Sequence, residues 1–168
     1  MEYVKVIRDI DGDKFRQEIL DIINNIGLES NQIICQSYTP DSFNWLSGVG
    51  RVHDLEDQHE EHYKYLNPAL AGTMLANLIE EYDCFRTRIM IMKPRACYSI
   101  HADRTPRIHI PVVTNKQAWM IWPHANQCYQ MSQGKVYYTD TTKNHTFING
   151  GEADRIHVVA CVKNYPKK

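Results

Sequence analysis

The sequence predicts a mainly β protein with flanking helices, built as a sandwich or barrel of short strands. From residue 85 onward, strand-like runs follow one another at roughly even spacing, and turn signals separate them. Two amphipathic segments precede these runs, within residues 1–84. Hydrophobic residues make up 43% of the chain and charged residues 23%, which is typical of a folded globular protein. A jelly roll of two sheets is one arrangement that accommodates this pattern.

The length and charge of the chain narrow its class. With 168 residues, we expect a single domain, residues 1–168, that is large enough to bury a core. The formal net charge of −1 argues against a broad surface for nucleic acid or for an anionic membrane. No apolar run approaches the roughly 18 residues of a transmembrane helix, and the N-terminus is too polar for a signal peptide. We therefore expect a cytoplasmic protein with neither nucleic-acid nor membrane partners.

The cysteines agree with a reducing compartment. The chain has five, an odd number, they are widely spaced, and no Cys-x-x-Cys motif occurs. A disulfide framework and a cysteine-rich zinc site are therefore not expected. The five are Cys35, Cys84, Cys97, Cys128 and Cys161.

Residues 1–84 are expected to form a helical N-terminal part with a long loop. Residues 3–8 predict a short first strand. Apolar residues at helical spacing predict an amphipathic helix over residues 14–26, after a turn that contains a capping Asp. Residues 32–38 predict a second strand, with an apolar centre.

A long connection, residues 39–67, follows this strand. Connections of this length are usually functional loops or lids. Its acidic run at residues 53–62 holds three histidines, but their spacing matches no zinc pattern, so a solvated polar loop is the favoured interpretation. Beyond it, Asn67 and Pro68 are typical of a helix N-terminus, and a second helix is expected to end near Tyr82.

Residues 85–168 are expected to form the jelly-roll core and to carry the functional site. The strand-like runs alternate here with turns that contain Pro, Gly or Asn. The runs are residues 86–93, 97–102, 107–114, 118–122, 127–131, 135–139, 145–148 and 155–163.

A candidate metal site lies in the second of these runs and just after it, where His101 and Asp103 stand two residues apart. Side chains two apart in an extended strand share a face, so an imidazole nitrogen and a carboxylate oxygen can approach one point. A second histidine would complete the two-histidine, one-carboxylate triad that binds non-haem Fe(II) and leaves coordination positions open. Because the chain has eight histidines, the pair alone is a weak signal.

The third ligand is expected among the histidines that follow the pair. These are His109, His124, His145 and His157. His145 is the best placed, because it opens a strand directly after a polar turn. Arg155 opens the last strand, and a hairpin through Asn149-Gly150-Gly151 is expected to bring His145 and Arg155 to one region. A metal ligand and a cation that face one pocket suit a small dicarboxylate.

Several segments of the β-rich part, taken in their order along the chain, carry a resemblance to a known family. They are His101-Ala102-Asp103 and residues 107–115, 134–137, 145–149 and 155–158. In these segments, residues 85–162 resemble the cupin-type Fe(II)/2-oxoglutarate oxygenases related to aspartyl/asparaginyl β-hydroxylase and to the bacterial free-proline hydroxylases. The resemblance implies a double-stranded β-helix, the cupin-like jelly roll. Agreement in order and spacing over nearly half of the chain is more specific than any single motif.

The resemblance implies which residues carry the chemistry. It implies that His101, Asp103 and His145 bind Fe(II) and form the catalytic centre. It also implies that Arg155 holds the C5 carboxylate of 2-oxoglutarate, a group that needs a permanently charged, bidentate partner. The mammalian β-hydroxylases have Gly where Asp103 stands, so this chain is similar to the members with a full triad, such as the proline hydroxylases.

Arg107 and His109 lie in the segment where family members line the co-substrate pocket, and they share one face of a strand. The alternative for these two residues is a salt-bridging arginine and a packed histidine. Arg86, Arg88 and Trp119 lie on strands near the expected pocket and could contact a substrate. Structural roles are at least equally expected for these three, so none is assigned to the site.

The resemblance also implies the reaction. This is hydroxylation of an unactivated C–H bond in a small molecule or in an amino-acid or peptide side chain, with O2 consumed and succinate and CO2 released. Fe(II) and 2-oxoglutarate are the implied cofactors. Two alternatives stay open. One is a metal-dependent cupin enzyme, such as an isomerase, that does not use 2-oxoglutarate, and the other is a non-catalytic jelly-roll binding module.

Overall fold

The computed structural model describes residues 3–27, 29–50 and 59–165. Residues 53–58 of the acidic, histidine-bearing run therefore lie outside the described residues. In chain order, the strands and α-helices are β1 Val4–Asp9, α1 Gly12–Ile26, β2 Gln32–Ile34, β3 Gln36–Ser37, β4 Tyr65–Leu66, α2 Met74–Glu81, β5 Phe85–Met92, β6 Ala96–Cys97, β7 Arg107–Val113, β8 Ala118–Trp122, β9 Gln127–Tyr129, β10 Lys135–Thr139, β11 Thr146–Asn149 and β12 Arg155–Cys161.

Two antiparallel sheets form the body of the protein. The larger sheet has the strand order β1-β10-β7-β12-β5-β2, and the smaller has the order β6-β11-β8-β9. A further two-stranded sheet pairs β3 with β4. Buried side chains of both main sheets, among them Trp122, Tyr137 and Phe147, pack into one cluster, so the two sheets are the layers of a sandwich. The prediction of a mainly β jelly-roll fold with flanking helices is confirmed.

The N-terminal part supplies both edges of the larger sheet. Strand β1, which corresponds to the predicted strand at residues 3–8, pairs with β10, and β2 pairs with β5. The strand predicted over residues 32–38 is divided at Cys35, because β3 leaves the larger sheet to pair with β4. Residues 1–84 and 85–168 thus share one sheet.

Alternation along β7 and β12 gives the larger sheet two different faces. Ile108, Ile110 and Val158 pack in one apolar cluster with Phe15 of α1 and Leu75 of α2. The residues between them point to the opposite face, because side chains alternate along a strand. This face lines a cavity between the sheets with Arg107, His109, Arg155 and Val159. The helices therefore cover one face, and the other carries polar groups.

Helix α1 closely follows the prediction. The side chain of Asp11 accepts a hydrogen bond from the backbone N–H of Lys14 (3.0 Å) and caps the first turn. Gly27 ends the helix with a φ of +60°, a conformation that favours glycine. Neither α1 nor α2, the α-helices of the described residues, is long and apolar enough to cross a bilayer.

The second predicted helix is wrong in its extent. Asn67 caps only a short 3-10 turn, Pro68–Leu70, and α2 begins after Thr73. Gly72 lies between the two with a φ of +79°, which interrupts helical geometry. The side chain of Thr73 then accepts a hydrogen bond from the N–H of Ala76 (3.0 Å) and starts the new helix.

The predicted hairpin after β11 is also wrong, because β11 belongs to the smaller sheet and β12 to the larger. The buried side chain of Asn149 stabilises this crossing between sheets. Its amide nitrogen lies 3.0, 3.1 and 2.9 Å from the carbonyl oxygens of Met92, Lys93 and Ala153. Its amide oxygen accepts a hydrogen bond from Nδ2 of Asn115 (2.9 Å). One side chain thereby ties together the segments where the chain changes sheets.

A buried ion network attaches the long connection to the larger sheet. Oε1 of Glu60 lies 2.5 Å from Nη1 of Arg86 and 2.9 Å from Nη2 of Arg107, and all three side chains are 2–3% exposed. Nε of Arg86 donates to the carbonyl of Gly48 (3.1 Å). The solvated loop predicted for residues 53–62 is therefore wrong for Glu60, because two buried guanidiniums need its charge.

We expect Asn149→Ala to lower the free energy of unfolding by about 2 kcal/mol, because the carbonyls that accept hydrogen bonds from its amide would stay buried without this donor. Urea denaturation measures the difference. Asn77→Ala, at an exposed position on α2, is the matched control and should leave stability nearly unchanged. An Asn149→Ala protein as stable as the wild type would contradict the role given to this amide.

We expect Glu60→Gln to cost about 3 kcal/mol at pH 7, because two guanidiniums would lose their buried counter-charge. Burial alone would raise the pKa of Glu60, but the charges of Arg107 and Arg86 outweigh it and hold the pKa below its usual value. The stabilisation is therefore present above the unfolded-state pKa of about 4.3 and is lost as the pH falls through the lower folded-state pKa.

Denaturation curves at several pH values check this expectation. The stability difference between wild type and Glu60→Gln should narrow as the pH falls below about 4. The exposed neighbour Glu61, which pairs with Lys163 at the surface (3.1 Å), offers the control Glu61→Gln, which should change stability little. A difference that does not depend on pH would rule out the charge of Glu60 as its cause.

Candidate functional site

Two histidines of the predicted triad are joined by their backbones. His101 donates its N–H to the carbonyl of His145 (3.0 Å), and His145 donates its N–H to the carbonyl of His101 (2.8 Å). The ring centroids are 4.6 Å apart. The predicted strand at residues 97–102 ends at Cys97, so this isolated bridge, rather than a continuous strand, sets the position of His101.

Asp103 brings a carboxylate to the same point. Its Oδ1 lies 4.0 Å from Nε2 of His101, and its Oδ2 lies 3.8 Å from Nε2 of His145. The backbone N–H of Asp103 donates to the carbonyl of Thr141 (2.9 Å), which holds the turn in place. One potential metal-ligand atom from each of the three residues lies within 4.8 Å of the other two, so the structure brings together the three side chains that the sequence predicts.

The two imidazoles are oriented for metal binding. Nδ1 of His101 lies 2.7 Å from the carbonyl of Ser99, and Nδ1 of His145 lies 2.9 Å from the carbonyl of Lys143. A carbonyl only accepts, so each Nδ1 carries the hydrogen and each Nε2 has its lone pair free. Burial lowers the pKa of His145, which keeps its ring neutral near pH 7. Neutral imidazole is the form that binds a metal.

Arg107 positions the carboxylate of this cluster. Its Nη2 lies 3.1 Å from Oδ1 of Asp103 and 2.9 Å from Oε1 of Glu60. Its Nη1 donates to the carbonyl of Thr105 (2.9 Å). Arg107 lines the cavity, but its guanidinium is shared between two carboxylates of the chain. Contact with a co-substrate stays a prediction for this residue.

A cavity of about 410 Å³ opens between the two sheets at the cluster. The three clustered side chains form part of its wall, and Arg155 and Phe147 form another part. The hairpin that was expected to bring Arg155 to this region does not exist, yet Arg155 still reaches it. The reason is that β12 presents this side chain to the inner face of the larger sheet, opposite β11.

Arg155 is buried and forms no ion pair with a carboxylate of the described residues. It is 1% exposed, and its guanidinium carbon lies 3.6 Å from the ring centroid of Phe147. Its Nη2 contacts Nδ1 of His157, and its Nε has no hydrogen-bond partner among the described residues. Burial lowers the pKa of Arg155, because removal from water destabilises its charged form. An anion from outside the chain would relieve this cost.

The remaining predicted histidines do not join the cluster. His109 lines the cavity, is buried, and has an Nδ1 without a hydrogen-bond partner among the described residues. Burial and the charge of Arg155 lower its pKa well below the usual value, so it is neutral. His157 is fully buried behind Arg155, and His124 is near Tyr3 at the surface. Of these four histidines, His145 is therefore the one that lies in the cluster with His101 and Asp103.

Sequence reasoning did not assign Glu60, Arg86 or Arg88 to the site. Arg86 and Arg88 both line the cavity, whereas Trp119 is 36% exposed and does not. No local pattern marks Glu60, because its partners are 26 and 47 residues away in the chain. The only signal for the arginines was their place on a strand next to the expected pocket.

Two solved structures align with this chain at low sequence identity. AviO1 from Streptomyces viridochromogenes Tue57 is 16% identical and aligns over 99% of this chain and 92% of its own, with a TM-score of 0.51. A cupin domain from Bordetella pertussis Tohama I is 16% identical and aligns over 48% of this chain and 83% of its own, with a TM-score of 0.42. The first of these likenesses shows the fold alone.

The sequence matches the profile of the family described as aspartyl/asparaginyl beta-hydroxylase over residues 54–164. A search of curated proteins gave no match. The profile match covers more than half of the chain and includes the whole His-Asp-His cluster and Arg155. The resemblance expected from the sequence is confirmed, and the chain belongs to the aspartyl/asparaginyl beta-hydroxylase family.

Proposed function

We propose that this protein is an Fe(II)- and 2-oxoglutarate-dependent oxygenase. It hydroxylates an unactivated C–H bond of a small molecule or of an amino-acid or peptide side chain. Membership of a hydroxylase family supports an oxygenase in general. One observation carries the finer proposal: a single cavity holds both the His-Asp-His cluster and a buried arginine that lacks a carboxylate partner among the described residues.

The cluster has the composition that Fe(II) requires. Two neutral imidazoles and one carboxylate are the ligands of the non-haem iron triad, and they leave coordination positions open. His101, Asp103 and His145 would hold the ion, while the carbonyls next to each Nδ1 and the guanidinium of Arg107 keep these side chains in place. When bound, Fe(II) would supply O2 activation coupled to the oxidative decarboxylation of 2-oxoglutarate to succinate and CO2.

Arg155 has the properties needed to bind the C5 carboxylate of 2-oxoglutarate. A guanidinium is a planar fork that bonds a carboxylate through two parallel hydrogen bonds. Phe147 packs against the face of this fork, which limits its rotation. Because Arg155 is buried, a bound carboxylate would meet little competition from water and would balance its charge.

His109 and Arg107 are proposed to serve the same pocket in different ways. His109 stays neutral, so it adds no positive charge next to Arg155, and its Nδ1 is available to a bound co-substrate. Arg107 acts through Asp103, because its guanidinium already bonds that carboxylate and Glu60. The chain's own contribution is therefore to orient the ligands, to bind the anionic co-substrate and to limit access of water.

Anaerobic addition of Fe(II) and then 2-oxoglutarate to the wild type should produce the visible metal-to-ligand charge-transfer band of the chelate. His145→Ala and Asp103→Ala should lose both the band and stoichiometric iron, because two ligands do not complete the site. Absorbance and iron content after gel filtration are the measurements. His124→Ala is the matched control and should keep both, since His124 is near Tyr3 rather than the cluster.

Two outcomes would contradict the proposal in different ways. Iron that binds without the band would favour a metal-dependent enzyme that does not use 2-oxoglutarate. A wild-type protein that binds no divalent metal would favour a non-catalytic binding module.

Arg155→Gln should weaken 2-oxoglutarate binding about tenfold or more while Fe(II) still binds, because a charge-assisted bidentate contact is removed and the three metal ligands are unchanged. Arg155→Lys should recover part of the affinity, since it keeps the charge but loses the fork. Titration of the band with 2-oxoglutarate measures both. Arg95→Gln, whose side chain is 78% exposed in the wild type, is the control. Unchanged affinity in Arg155→Gln would mean that another group holds the C5 carboxylate.

A further inference from the structure

A second buried arginine in the cavity has no carboxylate partner within the part of the chain that the structure describes. Arg88, on β5, is 7% exposed and lines the cavity. Its Nη1 donates to Oε1 of Gln32 (3.2 Å), and its Nε has no hydrogen-bond partner among the described residues. None of the ion pairs formed between described residues includes Arg88. A guanidinium buried beside a neutral amide is poorly compensated.

The nearby carboxylates of the described residues, Glu60 and Asp103, already form ion pairs with other arginines. Glu60 is shared between Arg86 and Arg107, and Asp103 bonds Arg107 and belongs to the proposed metal site. Burial and the adjacent charge of Arg86 both lower the pKa of Arg88, so its cation is destabilised at this position. The positive charge of Arg88 is therefore not balanced by any described residue, and a bound anion would stabilise it.

Arg88 and Arg155 mark two separate places on the same face of the larger sheet. In the pairing of β5 with β12, Arg88 lies opposite Val159, and Arg155 lies opposite Met92. Four residues of extended strand separate the two positions, which corresponds to about 13 Å along the sheet. Met90 lies between them on β5, and it lines the cavity with apolar surface, as does Val159 opposite Arg88. A single five-carbon diacid held at Arg155 and at the metal leaves Arg88 free.

We propose that Arg88 binds a carboxylate of the substrate, and that the substrate is accordingly an organic acid whose carbon skeleton lies against the apolar wall next to the cluster. This inference rests on the proposed function, because it assigns 2-oxoglutarate to Arg155 and the open part of the cavity to the substrate. Gln32 is a positioning residue in this arrangement: its Oε1 accepts hydrogen bonds from Arg88 and from the N–H of Gly50 (3.1 Å).

Propionate and propionamide are the probes for this carboxylate, since they have nearly the same shape and differ in charge. The wild-type protein is loaded with Mn(II), which broadens the NMR signals of nearby protons, and with saturating 2-oxoglutarate to fill the Arg155 end. Propionate signals should broaden in a saturable way, and propionamide should bind about tenfold more weakly or worse, because a charge-assisted hydrogen bond is lost. Equal affinities for the two probes would overturn the inference.

Variants of the chain tie this binding to Arg88. Arg88→Gln should lose about tenfold or more of the propionate affinity and discriminate little between propionate and propionamide, whereas Arg88→Lys should retain part of both. Arg95→Gln removes the same charge from an exposed side chain and should behave as the wild type does. Propionate binding that is unchanged in Arg88→Gln would show that another group holds it. If Arg88→Gln does not fold, the inference is tested by the affinities of the wild type for propionate and propionamide and by the partial loss of propionate affinity expected in Arg88→Lys.

The same samples separate this inference from the proposed function. The charge-transfer band with Fe(II) and 2-oxoglutarate should persist in Arg88→Gln, since its change lies away from the proposed co-substrate contacts. Absence of the band in the wild type would remove the proposed function itself. A normal band together with propionate binding that is insensitive to Arg88 would remove only the role of Arg88.

Competition against propionate then distinguishes two sources of the carboxylate. N-acetylalanine carries it at the chain end, and the α-amide of N-acetylaspartate carries it on a side chain. Displacement by the first alone indicates a free amino acid or chain terminus, and displacement by the second alone indicates an acidic side chain within a peptide. Failure of both, while propionate still binds through Arg88, would exclude the terminal and side-chain carboxylates of a peptide and restrict the substrate to free organic acids.

Discussion

Burial of positive charge between the two sheets is the constraint on which the site depends. Among the described residues, the buried arginines are Arg86, Arg88, Arg107 and Arg155. A guanidinium removed from water is stable only with a counter-charge and satisfied hydrogen bonds. The chain supplies Glu60 to two of these groups and Asp103 to one of them. The other two line the cavity, and no carboxylate of residues 3–27, 29–50 or 59–165 pairs with them, which is the basis for expecting two anionic ligands.

The same network connects the cluster to the rest of the fold. Arg107 bonds both Glu60 and Asp103, so the carboxylate proposed for the metal is held by the ion network that also attaches the long connection to the sheet. The histidines are held differently, by reciprocal backbone hydrogen bonds and by carbonyls next to each Nδ1. Three side chains from two segments of the chain can thus converge outside a continuous strand, because hydrogen bonds or ion pairs restrain each of them.

Strand alternation explains why a protein of this size can hold such a polar cavity. Along β7 and β12, every second residue packs against the helices in the main apolar cluster. The residues between them are free to be charged, since their face is turned to the smaller sheet. One sheet therefore contributes to the stability of the core with one face and to the chemistry with the other. Helices α1 and α2 are needed for the first role and take no part in the second.

Local chemistry made much of this structure readable from the sequence. The Asp11 cap, the apolar spacing that follows it and the terminal Gly27 predicted α1, because a helix end satisfies its backbone groups within a few residues. Periodic short strands predicted the β-rich half. The ordered segments around His101, Asp103, His145 and Arg155 predicted the family, since their types and spacing reflect one chemical requirement.

Features that depend on contacts between residues distant in sequence were decided only by the tertiary structure. Contacts between residues far apart in the chain determine three features. They are the hydrogen bonds of Asn149 where the chain changes sheets, the pairing of His101 with His145, and the burial of Glu60. A polar run such as residues 53–62 predicts solvent exposure. Glu60 is an exception, because Arg86 of β5 and Arg107 of β7 provide its counter-charges. The sequence by itself thus determined the fold class and the composition of the candidate metal cluster, through local patterns. The tertiary structure alone decided which buried charges are compensated, because charge compensation is a property of three-dimensional proximity.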